Sequence, residues 1–193
     1  MSNYPNSGKG LKNMFIASVG AIVCAVCMII PIVNIIAGIA ALVFSIVSLI
    51  GLWTVGKDIA ECKTAFWFTI GASVVNAIAN GVNNMSAAGT SVGGTLLSVV
   101  GSALSLAVSY YVCTSVPAAL RTFGAEEAAT AGDKAWKIML WTTVASIVAS
   151  ILCLIPVLNI IGAVLAIIAG IAALVGTIFY MIFLNKAYKA FGA

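Results

Sequence analysis

Histidine is absent from this chain, and only 7% of its 193 residues are charged. Without imidazole it lacks both the commonest metal ligand and the one side chain whose ordinary pKa suits proton exchange near neutrality. Charge is missing in another sense as well. No Asp, Glu, Lys or Arg interrupts 13–56, 64–120 or 138–185, runs of 44, 57 and 48 residues. Those runs therefore hold no candidate for a proton relay, a buried ion pair or a voltage sensor. No glycine-rich phosphate loop opens a helix, and no nucleophile has a base beside it, so neither an enzyme nor a cofactor is expected. The nine basic residues are scattered and partly offset by five acids, which gives no footprint for nucleic acid.

Cysteine is present but forms no framework. Five cysteines without a compact module outside the apolar runs do not specify a disulfide scaffold. Cys24-x-x-Cys27 has redox spacing, but it lies inside an apolar helix-forming run and is read as two small packing residues. The aromatic residues are also one-sided: Trp53, Trp67, Tyr110, Tyr111, Trp136, Trp141, Phe179, Tyr180, Tyr188 and Phe191 all fall toward the charged segments. The opposite ends have no aromatic belt of the kind that anchors a span at a membrane surface.

What remains is apolar. At 63% hydrophobic the composition is that of an integral membrane protein. Lys9 and Lys12 precede the first apolar segment as in a signal peptide, but no small-x-small cleavage site closes it, so it reads as a first span. As one helix, even the shortest uncharged run would extend about 66 Å, twice the ~30 Å hydrocarbon core. Each run must fold back, and an open backbone turn is not tolerated in lipid, so the fold-backs belong at a membrane surface. Two of them are written alike: CMIIPIVNII at 27–36 and CLIPVLNII at 153–161 share P-x-x-N. Pro31 and Pro156 would stop one helix, and Asn34 and Asn159 would cap the next. The middle run turns through the longer NNMSAAGTSVGGT, 83–95.

The fold class expected is thus an all-α integral membrane protein. Six transmembrane helices, near 14–30, 35–55, 65–82, 96–116, 138–155 and 160–184, form three tandem helical hairpins. Residues 1–13 form a cytoplasmic tail, and 14–193 a single six-span domain. Its hairpins cover 14–56, 64–120 and 138–185, with a cytoplasmic connector at 117–137, either irregular or a short interfacial helix from Glu126 to Lys137. Every charge then lies on one side, and the positive-inside rule makes that side and both termini cytoplasmic, which places the protein in the cytoplasmic (inner or plasma) membrane. ALRTFGA (119–125) and AYKAFGA (187–193), and K-x-x-x-W-x-T at 63–69 and 137–143, suggest an internal repeat.

Small and polar residues recur every three or four positions within the spans. The strongest stripes are Thr69, Ser73, Asn76 and Asn80 in the third span and Ser98, Ser102, Ser105 and Ser109 in the fourth. A second group is Ala17, Gly20, Cys24; Gly38, Ala41, Ser45; and Ala163, Ala166, Gly170, Ala173. Two functions compete for such stripes. Close helix packing would make this a non-catalytic structural or accessory protein, partnered by lipids and by copies of itself or other membrane proteins. A wet stripe would make it a passive channel or facilitator for small neutral solutes. The topology is open to direct test. Reporter fusions after Asp58, within 125–133 and at both termini are expected to report cytoplasmic, and a single periplasmic signal would break the six-span arrangement.

Overall fold

A computed structural model describes residues 4–28, 30, 33–85, 91–155 and 157–192. It consists of six helices: α1 Ser7–Cys27, α2 Asn34–Val55, α3 Ala60–Met85, α4 Val92–Arg121, α5 Glu126–Cys153 and α6 Asn159–Ala190. All six are long and apolar enough to cross a membrane, and no strand occurs among the described residues. The chain is a multi-pass helical membrane protein. Consecutive helices pair most extensively two by two, α1 with α2, α3 with α4 and α5 with α6. The α4–α5 and α1–α6 contacts are smaller, and α2 meets α3 least of all.

The helices outrun the expected spans at the charged end. α4 does not stop before Pro117 but carries it internally, and ends at Arg121. α5 runs unbroken from Glu126 to Cys153, so the expected connector 117–137 is helix except for a turn at 122–125. Proline costs a helix one hydrogen bond and some steric strain. Here its ring is fully buried against the bare backbone of Gly132, beside Phe183, and that packing holds the helix together. The turn itself is a Schellman motif: Ala125 N–H donates to Leu120 C=O at 3.1 Å, Gly124 N–H donates to Arg121 C=O, and Gly124 takes the left-handed φ of 79°. Gly192 has φ 80° in the second copy of the same sequence motif. The two copies meet, with the Phe123 and Phe191 rings edge to face at 5.2 Å and Tyr4 packed on both.

α1 also starts early, at Ser7 rather than 14, and the reason is one carboxylate. Asp58, in the turn after α2, accepts from Asn6 N–H (2.7 Å), Asn6 Nδ2 (2.8 Å), Ser7 N–H (2.7 Å) and Ser7 Oγ (3.0 Å). A helix start leaves amides without partners and carries partial positive charge, and an anion from elsewhere in the chain answers both. Ser7 is thereby fully buried. Ion pairs of Arg121 with Asp133 and of Lys186 with Glu127 (2.6 Å) join the ends of α4, α5 and α6.

The large buried side chains all lie at this end: Leu11, Leu52, Val55, Val112, Val116, Leu120, Phe183 and Leu184 form one cluster across the helices. Toward the apices the residues buried among those described are small, including Ala17, Cys24, Ala37, Ala72, Ala79, Ala149 and Ala169. Burial tends to push the Asp58 carboxyl up, but the hydrogen bonds from Asn6 and Ser7 together outweigh it and hold it below its ordinary 3.8. A lowered folded pKa gives stability that is present above the ordinary value and lost as pH falls through the folded one. Asp58→Ala is expected to cost about 1–2 kcal/mol at neutral pH, a Tm fall of roughly 2–8 °C for a chain of this size. In detergent melts that deficit should shrink as the pH drops below 3.8, and a deficit independent of pH would refute the charged cap.

Candidate functional site

The repeated proline–asparagine turns lie mostly outside the description. Pro31 and Pro156 are not among the described residues. Asn34 and Asn159 are the first residues of α2 and α6, and the cap positions before them belong to Val33 and Leu158. In the middle fold-back, α3 continues to Met85, and Ser91 caps α4 by accepting from Gly94 N–H at 2.9 Å. Asn83 Oδ1 accepts from Ser91 N–H at 3.0 Å, tying the two helix ends together.

The best-defined geometry in the spans is the contact line of each helix pair. Between α3 and α4, Cys62 meets Ser115 at 3.5 Å, Asn76 lies on Gly101, and Asn83 lies on Gly94. These partners step by seven or fourteen residues on each helix, the register of coiled-coil packing. α5 and α6 follow the same rule: Gly132 meets Phe183, Gly176 meets Met139, and Gly162 meets the backbone of Cys153. In α1 the buried positions Gly10, Ala17 and Cys24 are likewise seven apart. A Cβ added to Gly10 would stand 2.6 Å from the Gly51 carbonyl oxygen, so these two backbones touch. The stripes expected in α2 and α6 lie off these lines. Gly38 and Gly170 face open space, and Ala163, Ala166 and Ala173 are exposed. Ala37 and Gly51 in α2, and Gly162, Ala169 and Gly176 in α6, do the packing instead. In runs made almost wholly of small and apolar residues, several registers fit the spacing, and only a partner helix selects one.

The candidate polar path divides in three dimensions. Asn76 is closed into the α3–α4 seam, whereas Asn80 is exposed. The six hydroxyls are engaged with their own helices: Thr69 donates to Ala65 C=O, Ser73 to Thr69, Ser98 to Gly94, Ser102 to Ser98, Ser105 to Gly101 and Ser109 to Ser105, all at 2.8–3.1 Å. Such back-bonding satisfies each donor without a partner helix or water. Thr69 and Ser73 nevertheless join Ser18, Ser45 and Ser48 along an open groove of about 250 Å³ between α1, α2 and α3, in which the four α4 serines take no part. A second groove, of about 510 Å³, lies between α2 and α3 and is lined by Ile46, Leu49, Ile50, Trp53, Phe66 and Trp67. Leu49 belongs to both.

The charged end contains the residues that sequence reasoning passed over, Asp58 above all. A signal for it exists: Thr54-Val55-Gly56-Lys57-Asp58 and Thr122-Phe123-Gly124-Ala125-Glu126 place an acid two residues after a helix-ending glycine. All five cysteines are free, and no cluster of three or more metal-ligating side chains occurs among the described residues. Comparison of the chain with protein-family models, with curated proteins and with solved structures returns no match.

The seam makes a sharp contrast between glycines. Gly51→Ala would put a methyl 2.7 Å from the Gly10 carbonyl oxygen and is expected to cost about 1–3 kcal/mol. Gly38→Ala, with nothing near it, is expected to be neutral or stabilising by up to ~1 kcal/mol. Thermal unfolding of the two variants in mild detergent checks this, and equal melting temperatures would contradict the packing.

Proposed function

We propose that this is a non-catalytic membrane protein of the cytoplasmic membrane, a structural or accessory subunit that self-associates or organises the bilayer. It works without a cofactor, and its partners are lipids, further copies of itself or other membrane proteins, not nucleic acid. In this reading the six helices insert as three tandem hairpins, internal repeats with both termini on the cytoplasmic side, where the basic residues gather. The observation that carries the reading is the state of the polar stripes. Each hydroxyl donates to its own helix, and Asn76 is closed against Gly101, as expected of groups that serve helix packing and not a water path. The missing aromatic belt at the apices supports it as well, since helices covered by neighbouring copies meet little headgroup.

The groove of Ser18, Ser45, Ser48, Thr69 and Ser73 favours the second reading, a passive route for small neutral solutes. Substitution on α4, whose serines lie outside that groove, tests the first reading, and flux tests the second. Ser102→Ala with Ser105→Ala keeps the face small and removes only hydroxyls already bonded internally, so the oligomeric state in native membranes is expected to stay unchanged. Leucine at both positions is expected to alter it. Native mass spectrometry reads the assembly, and a solute-flux assay in proteoliposomes reads the alternative. A strictly monomeric protein that passes a neutral solute would overturn the structural role.

A further inference from the structure

The α2–α3 junction is the loosest between consecutive helices, and it opens toward lipid as the second groove described above. Its walls are Ile46, Leu49 and Ile50 on one side and the rings of Trp53, Phe66 and Trp67 on the other, with no charged side chain among them. The rings make one aromatic bank: Trp53 lies 5.0 Å from Phe66, and Phe66 lies 5.4 Å from Trp67 at 77°. Both tryptophans remain open to the surroundings, Trp67 with 61% of its surface exposed. From Ile46 to Trp53 the groove runs about 10 Å along α2.

A cation stands at its upper end. Lys63 Nζ lies over the Trp53 ring, 5.3 Å from the centroid. Lys63 enters none of the ion pairs among the described residues. The nearest acids do not neutralise it. Asp58 spends its carboxylate on Asn6 and Ser7, and Glu61, two positions away on α3, does not share a face with Lys63. Trp67 is one turn deeper, about 6 Å along the helix. Charge at headgroup level, an aromatic ring beneath it and an apolar trough below match the order of parts in a phospholipid.

We infer that the α2–α3 groove is a binding site for an anionic phospholipid of the leaflet on the charged side, its phosphate at Lys63 and an acyl chain along Ile46, Leu49, Ile50 and Trp67. Charge complementarity selects the class: a zwitterionic lipid brings its own cation to the Lys63 ammonium, whereas phosphatidylglycerol brings an uncompensated phosphate. Closure of the groove by an aromatic bank adds area that a smooth helix surface does not offer. The site requires only that this groove face lipid, whether or not copies of the protein associate through other faces.

The test uses the two groove tryptophans as reporters. In a Trp136→Phe, Trp141→Phe background, the full-length protein is reconstituted in phosphatidylcholine vesicles containing a minor fraction of lipid with brominated acyl chains. The headgroup of that fraction is either phosphatidylglycerol or phosphatidylcholine. Brominated phosphatidylglycerol is expected to quench at about fivefold lower mole fraction, the preference a single lysine near the surface supplies. Lys63→Gln is expected to abolish the difference, and Lys63→Arg to retain it. Lys63 is exposed, so neither change disturbs the core. Equal quenching by the two lipids would mean annular lipid only and would overturn the proposal. So would a preference that survives Lys63→Gln, or an absence of quenching by either lipid, which would mean that protein covers the groove.

Discussion

The distance to which two helix backbones can approach governs the membrane part of this protein. Lipid chains are as apolar as leucine, so burying an apolar side chain between helices gains little there, and association rests on close packing. That is why the residues buried toward the apices are alanine, glycine and cysteine, and why Gly162 meets the backbone of Cys153. It also accounts for the seven-residue steps of the α3–α4 and α5–α6 seams, since a contact line of small residues persists only where successive turns return to the same face. The large side chains of α2 and α6, such as Ile39, Leu42, Ile167 and Ile171, are left facing outward, where lipid solvates them at no cost.

The charged end works by different physics. Water is at hand there, so large apolar side chains gain by burial, and Leu11, Val116, Leu120 and Phe183 lie in one cluster. Polar groups make the long connections. Asp58 links the turn after α2 to the start of α1, and Lys186 links α6 to α5 across 59 residues of chain. The bundle is held firmly at one end by core and caps, and further along only by narrow seams. Among the described residues α2 and α3 share the least contact of any consecutive pair, and both described spaces of functional interest border that junction.

The polar stripes gain a sharper meaning from this division. A serine in a membrane helix needs an acceptor, and its own backbone four residues back is always within reach. Back-bonded serines are therefore compatible with a thin packing face and give no reason to place water beside them. Thr69 and Ser73 show that the same residues can still border open space when the neighbouring helix stands off. The proposed structural role rests on the first property, and the alternative solute route on the second.

Spacing of charge and the length of the uncharged runs were enough to read six apolar helices, because a bilayer sets a length that no tertiary contact can alter. In α1 the expected face of Ala17, Gly20 and Cys24 is the buried one, although Ser18, Ala21 and Ala25 offer the same spacing. In α2 and α6 nearly every register offers small residues, and the choice of Ala37 over Gly38, or Ala169 over Gly170, was made by the partner helix. Helix ends at the charged side escaped for a related reason. The expected fourth span ended at 116 and the expected tail ran to 13, yet buried packing of Pro117 on Gly132 and a carboxylate 51 residues away carried α4 and α1 past those points. What chain composition dictates here is the solvent each segment must meet; which faces touch is a property of pairs, and pairs exist only once the chain has folded.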